Sequence, residues 1–138
     1  MNTATTLGEG VLNWSRYERM GHRYGAIHLE TEPNSEQYAT WQDAPTGTKG
    51  TLVAYVLATR QSGHIGDLFR GIGPSTPKVG EEITLGTGTL FAEYDDGVPR
   101  IGVEPEDGRE TDWMDPGALY RCHNQTVRLA FRAAGSNA

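Results

Sequence analysis

Residues 47–91 decide the fold, and in three successive pieces they read GTKGTLVAYVLATRQ, SGHIGDLFRGIGPSTPK and VGEEITLGTGTLF. The run TLVAYVLAT at 51–59 is almost continuously apolar and lacks glycine and proline, which predicts a strand at the centre of a sheet. The third piece predicts a second strand over 83–91 with a β-bulge at Gly86. Between them lies a segment rich in glycine and proline at 60–78, which we call the 60–78 loop.

The composition of the whole chain is that of a small β protein. Glycine makes up 18 of the 138 residues, about twice its usual share, and glycine is concentrated in turns and bulges. Many short strands joined by tight turns make the fullest use of such a composition. We therefore predict a mainly β fold, a small antiparallel β-barrel or sandwich of about five to six strands with one or two short helices.

One or two short helices are expected. An apolar residue recurs at every third position of 11–20, which is typical of one face of an amphipathic helix. The recurring residues are Val11, Trp14, Tyr17 and Met20. Farther along, Pro116 follows Asp115, and proline at the first position after an aspartate cap predicts a helix through about Tyr120.

Three further patterns indicate strands. Alternating side chains predict a strand over 24–31 and a half-buried final strand over 125–131. The sequence Asp95-Asp96-Gly97 is a typical two-strand hairpin turn, so the segment 100–104 should pair back onto the strand before it.

The length suits a single domain that needs no disulfide or metal to fold. We expect a flexible N-terminal tail at 1–10, one β-rich domain at 11–132 and a flexible C-terminal tail at 133–138, because both ends are small and polar. Cys122 is the one cysteine, which fits a reducing compartment. The first residues resemble no secretory signal, so we expect a cytoplasmic protein.

The net charge of −6 argues against nucleic acid as the main partner, because nucleic-acid-binding proteins normally carry a basic patch. The closest grouping of basic residues is Arg16, Arg19 and Arg23. A nucleic-acid-associated role that uses these arginines is the weakest of our hypotheses. No apolar run is long enough to cross a bilayer, so no membrane role is expected.

The 60–78 loop is the best candidate for a binding site. Its candidate ligand-binding residues are His64, Asp67, Phe69 and Arg70. Glycines let a backbone approach a ligand closely, and Arg70 can hold a carboxylate or phosphate through two parallel hydrogen bonds. Trp41 or Trp113 is expected to form a wall of this site, and both are candidate ligand-binding residues. A purely structural role is the competing interpretation, in which Asp67 caps a helical turn and Arg70 pairs with a surface acid.

The leading hypothesis is therefore a non-enzymatic binding protein that presents the 60–78 loop to a small anionic ligand or a protein partner, without a cofactor. Exposed apolar residues in the loop, Leu68 and Phe69, would make a homodimer plausible. The alternative is a small enzyme in which His64 and Asp67 form an acid–base pair.

A metal-dependent enzyme is the other form of that alternative. His28 and Glu30 are two positions apart on a predicted strand, so they share a face and could begin a metal site if His64 or His123 approached. A Cys122–His123 nucleophile–base pair is unfavourable, because adjacent side chains on a strand face opposite ways. Cys122 is expected to be a small core residue instead.

Overall fold

The computed structural model describes residues 4–19, 22–31, 37–59, 77–95, 97–104 and 114–134. Within these ranges the chain forms β1 (Thr5–Arg19), β2 (His22–Glu30), β3 (Lys49–Ala58), β4 (Glu82–Asp95), β5 (Val98–Glu104), α1 (Pro116–Cys122) and β6 (Thr126–Ala133). The strands close into a barrel in the order β1-β2-β5-β4-β3-β6, and every neighbouring pair is antiparallel. The predicted small antiparallel β-barrel with a short helix is confirmed.

The central pair of strands forms as the sequence predicts. β3 covers the apolar run, and β4 pairs with it in an antiparallel register. The register moves from Leu52↔Gly86 to Val53↔Thr84, which leaves Leu85 as the extra residue of a β-bulge beside Gly86.

The hairpin and the capped helix are also confirmed. Asp95 pairs with Val98 across the turn, and Gly97 has a φ of 81°, in the left-handed region that a tight hairpin turn requires. The Asp115 side chain accepts a hydrogen bond of 3.0 Å from the Gly117 N–H, so it caps α1 one residue before Pro116.

The helix expected over 11–20 is wrong, because residues 11–19 belong to β1. The first part of β1 pairs with β6, and the part from Val11 to Arg19 pairs with β2. An isolated short helix is marginal in water, whereas pairing first with β6 and then with β2 provides backbone partners along the length of β1. Residues 5–10 also lie in this strand, so they do not form the N-terminal tail that their composition led us to expect.

The barrel interior is filled with apolar side chains. Those fully shielded from solvent include Leu12, Ile27, Leu29, Leu52, Leu85, Leu90, Ile101, Leu129 and Phe131. Each such side chain contributes roughly 1.5–3 kcal/mol through burial. α1 packs over one end of the interior through Leu119 and Cys122, which are also buried.

Two segments that lie outside the described residues are bordered by described elements of the barrel. Residues 60–76 are flanked by the end of β3 and by the turn 77–80, where the Gly80 N–H donates to the Val56 carbonyl at 2.7 Å. Residues 105–113 are flanked by the end of β5 and by Met114. We call α1, the turn 77–80 and the first half of β4 the α1 end.

No helix in the described part of the chain is long and apolar enough to cross a bilayer.

The interfaces between neighbouring strands, which we call seams, differ in the length of their backbone ladders. β3 and β6 stay in register from Gly50↔Ala133 to Ala58↔Thr126. Over the described residues, by contrast, β2 and β5 share one register pair, Ile27↔Ile101. The barrel is therefore closed by long backbone ladders except at the β2–β5 seam.

Candidate functional site

Most of the predicted binding residues lie outside the described part of the chain. These are His64, Asp67, Phe69, Arg70 and Trp113, together with Leu68. The proposal of an anion-binding 60–78 loop therefore stays a prediction. Arg16, Arg19 and Arg23 occupy paired positions of the β1–β2 hairpin, and their side chains are likewise outside the described set.

Trp41 is a core side chain that reaches one small cavity. It is 6 % exposed and packs into the barrel core, as a large ring that covers apolar neighbours should. It also lines a cavity of about 190 Å³ together with Thr5, Thr6, Leu7, Thr40, Asp43 and Ala44. Its indole nitrogen is shielded from solvent and has no hydrogen-bond partner among the described residues. Trp41 thus serves the core first, and contact with a ligand would be secondary.

The structure assembles a polar cluster around His28 on the outer face of β2. Arg100 Nη1 lies 3.0 Å from His28 Nδ1, and a guanidinium can only donate, so the imidazole accepts at Nδ1. The proton of the neutral ring therefore resides on Nε2. That nitrogen lies 3.8 Å from Glu30 Oε1, which is too long for a hydrogen bond. The predicted common face of His28 and Glu30 is confirmed.

Burial and positive neighbours keep His28 neutral. Desolvation, then the Arg100 guanidinium and then His123 lower the pKa of His28 from 6.5 to about 4. The ring of Tyr38 contacts the imidazole edge-on, with 5.3 Å between ring centroids. At neutral pH the His28 ring is neutral and therefore cannot act as a general acid. Its Nδ1 lone pair, which a general base would use, already accepts a hydrogen bond from Arg100. It is poorly suited to general acid–base chemistry at this pH.

The described residues around His28 do not assemble a metal site. No group of three metal-ligating side chains occurs in the ranges that the structure describes. A zinc ion generally needs at least three protein ligands, and His28 directs Nδ1 toward a cation. His64, a candidate third ligand, lies outside those ranges.

Cys122 is a core residue, as predicted. Its side chain is fully shielded from solvent, and burial raises the pKa of the thiol to about 12. The thiolate, which is the reactive form, is therefore essentially absent at neutral pH. Cys122 cannot act as a nucleophile in this conformation.

The α1 end presents a surface that the sequence did not reveal. Glu81 accepts two hydrogen bonds from Arg121, at 2.7 and 2.9 Å, and a third from the Lys78 N–H at 3.0 Å. This ion pair ties the turn 77–80 to α1. Val79, which is 65 % exposed, precedes Glu81 by two positions.

Tyr120 completes this surface from the helix. It is 45 % exposed and meets Trp14 edge-on, with 5.9 Å between ring centroids. A shallow groove of about 410 Å³ runs between α1 and the start of β4, and Arg121 lines it together with Ile83 and Asp115. The turn of helix that carries Tyr120 is predictable from sequence, but its apposition to the turn 77–80 depends on the barrel topology.

The arginines whose side chains are described are all engaged. Arg100 bonds His28, Arg121 bonds Glu81, Arg128 bonds Glu9 at 2.8 Å, and Arg132 bonds Glu82 at 2.8 Å. An anion that bound any of these guanidinium groups would have to compete with a partner already in place.

No family model, curated protein or solved structure matches this chain. Its function therefore has to be inferred from its own residues.

Proposed function

We propose that this chain is a non-enzymatic binding protein that presents the α1 end of its barrel to a protein partner or a small anionic ligand. The 60–78 loop would contribute to the same surface, because the residues that flank it belong to the α1 end. Arg70 and His64 would then face the ligand, and Phe69 would add an apolar contact. A cytoplasmic location is part of this proposal.

One observation carries the proposal. Tyr120, next to Arg121 on α1, and Val79, two residues before Glu81, are both exposed. Tyrosine and arginine are enriched at protein interfaces, where an aromatic ring supplies contact area at little entropic cost. The filled barrel beneath holds these groups on a rigid support, which limits the ordering cost of binding.

A protein partner fits the described residues better than a small anion does. Every arginine whose side chain is described already has a partner, so an anion would depend on Arg70 in the 60–78 loop. A protein surface could use Tyr120 and Val79 without breaking an ion pair.

The enzyme alternative has less support. Cys122 is buried as a thiol, and His28 is neutral with its lone pair directed at Arg100. The remaining acid–base pair of that alternative is His64 with Asp67. An enzyme would need these groups to converge in one pocket with a bound substrate.

Native mass spectrometry of the purified protein, repeated under denaturing conditions, separates these possibilities. A mass excess that disappears on denaturation would identify a bound small ligand. The Arg70→Ala variant should then lose that mass while keeping its fold. Retention of the ligand by this variant would contradict the anion-binding form of the proposal.

A protein partner is tested with two matched tyrosine variants. Tyr120→Ser alters the α1 end, whereas Tyr94→Ser removes a ring that is 66 % exposed near the opposite end of β4. A partner cross-linked to the wild-type protein should be lost from Tyr120→Ser, with an affinity at least tenfold weaker. It should be retained by Tyr94→Ser. Equal binding of the partner by both variants would overturn the assignment of the surface.

A further inference from the structure

The β2–β5 seam has the fewest backbone pairs of the barrel in the part of the chain that the structure describes. Ile27↔Ile101 is its register pair. His28 follows Ile27 on one strand and Arg100 precedes Ile101 on the other, so their side chains meet across this seam. The hydrogen bond of 3.0 Å between them joins two strands that have little backbone ladder to hold them.

We propose that the Arg100–His28 hydrogen bond is a pH-sensitive latch, which holds the β2–β5 seam closed while His28 is neutral and lets this seam open locally more often in mildly acidic solution, before the rest of the barrel unfolds. Protonation would place a hydrogen on Nδ1, the atom that now accepts from Arg100. Two donors, each positively charged, would then face each other across the seam.

The groups that face His28 come from four parts of the chain. Arg100 on β5 repels a protonated imidazole, and so does His123 after α1 whenever it is charged. Glu30 on β2 is the neighbouring acid, but at 3.8 Å it does not hydrogen-bond the ring. Tyr38, from the connection after β2, covers one side of the imidazole. Glu93 on β4 lies opposite Arg100 in the register.

The direction of the pH response follows from these contacts. In the closed seam the pKa of His28 is lowered to about 4, whereas in an opened seam it returns toward 6.5. Between these values the open form binds the proton more strongly, so opening is favoured as the pH falls. Between pH 7 and pH 5 the opening equilibrium should rise by more than about tenfold. An opened seam would expose the backbone edges of β2 and β5, which an added strand could pair with.

Amide hydrogen exchange of the full chain, measured at pH 7 and pH 5 with small additions of denaturant, tests the latch. The seam amides of Ile27 and Ile101 should lose at least tenfold in protection at pH 5, with little dependence on denaturant, because the opening is local. Amides of β3 and β6 should instead exchange with the full denaturant dependence of global unfolding. Equal protection and equal denaturant dependence at the two seams would contradict the proposal.

Two variants isolate the histidine. In His28→Asn, the amide oxygen occupies the place of Nδ1 and accepts from Arg100 without titrating, so the pH response of the seam should vanish. His123→Asn is the matched control, and it should keep a response close to that of the wild type. A wild-type response in His28→Asn would overturn the latch.

A measurement on the unmodified protein covers the case in which His28→Asn fails to fold. The imidazole nitrogens of His28 are followed by NMR through an acid titration. The neutral ring with its proton on Nε2 should persist below pH 5. A His28 that titrates near 6.5, or that carries its proton on Nδ1, would refute the proposal.

Discussion

The β3–β6 seam and the β2–β5 seam close the same barrel by different means. β3 and β6 are joined by a backbone ladder along most of their length, whereas β2 and β5 share the pair Ile27↔Ile101 and rely on a side-chain bond between Arg100 and His28. Backbone amides do not titrate in the physiological range, but an imidazole does. One side of this barrel should therefore be indifferent to mild acid and the other side sensitive to it.

The largest effect is expected from a substitution that wedges the β3–β6 seam apart. A Cβ at Gly50 would collide with the Arg132 carbonyl oxygen and lie 2.6 Å from Phe131 Cζ. Gly50→Ala should therefore lower the free energy of unfolding by about 3 kcal/mol or more, as measured by denaturant titration.

Gly47→Ala is the matched control for Gly50→Ala. Gly47 has a left-handed φ of 85°, but a Cβ there would meet no atom within 4 Å. It should cost only about 1 kcal/mol, the price of the backbone conformation alone. Similar losses for the two variants would show that the close approach of β3 to β6 is not what holds this seam.

The second effect is the response of global stability to acid. The pKa of His28 is about 4 in the folded protein and 6.5 when unfolded, so the unfolded chain binds the proton first as pH falls. The contribution of His28 to the free energy of unfolding is therefore fully present above pH 6.5 and is lost between pH 6.5 and pH 4. It amounts to about 2 kcal/mol after discounting for partial exposure. Denaturant titrations should show that, between pH 7 and pH 4.5, the free energy of unfolding falls by about this much more in the wild type than in His28→Asn. Parallel pH profiles would contradict it.

Strand β3, the bulge in β4 and the start of α1 could be predicted from local sequence. The apolar run of β3 decides its own secondary structure, Gly86 marks the bulge, and Asp115 with Pro116 marks the start of α1. β1 could not be predicted in this way, because a spacing of three over 11–20 also fits a helix. What decides it is strand pairing, with β2 from Val11 to Arg19 and with β6 before that, where the Arg128–Glu9 ion pair joins residues 119 positions apart.

The polar cluster around His28 likewise depends on long-range neighbours that local sequence does not show. Strand alternation correctly puts His28 and Glu30 on one face, but Arg100 is 72 positions from His28. It becomes a neighbour only because β5 lies next to β2 in a strand order that departs from the chain order. Local patterns therefore identify the acceptor of this bond and miss its donor.

The third effect is smaller and concerns the end that α1 closes. Cys122 is fully shielded, so Cys122→Ser would bury a hydroxyl in place of a thiol and should cost about 1.5 kcal/mol. Cys122→Ala, which adds no polar group, should cost less. Alkylation of the wild-type thiol should also be slow in the native protein and fast in denaturant. Rapid alkylation of the native protein would mean that α1 opens readily, unlike the β3–β6 seam.

The smallest effect is expected from the Arg121–Glu81 pair. The Arg121 guanidinium lowers the pKa of Glu81, so the pair contributes above the ordinary glutamate value of 4.5 and fades as acid protonates the carboxylate. Both side chains are substantially solvated, and salt screens such pairs. Arg121→Gln should therefore shift the unfolding midpoint less than Cys122→Ser does, and the coupling measured with Glu81→Gln should shrink in high salt.

Arg128→Gln is the control for Arg121→Gln, because Arg128 bonds Glu9 in a more exposed ion pair on the β1–β6 seam. If the two variants behave alike, α1 is held by its buried residues Leu119 and Cys122, and the ion pair mainly shapes the surface around Tyr120. If Arg121→Gln instead destabilises the protein as strongly as Gly50→Ala, the ion pair is structural. The α1 end would then resemble the β2–β5 seam, as a second place where a single side-chain contact stands in for a ladder.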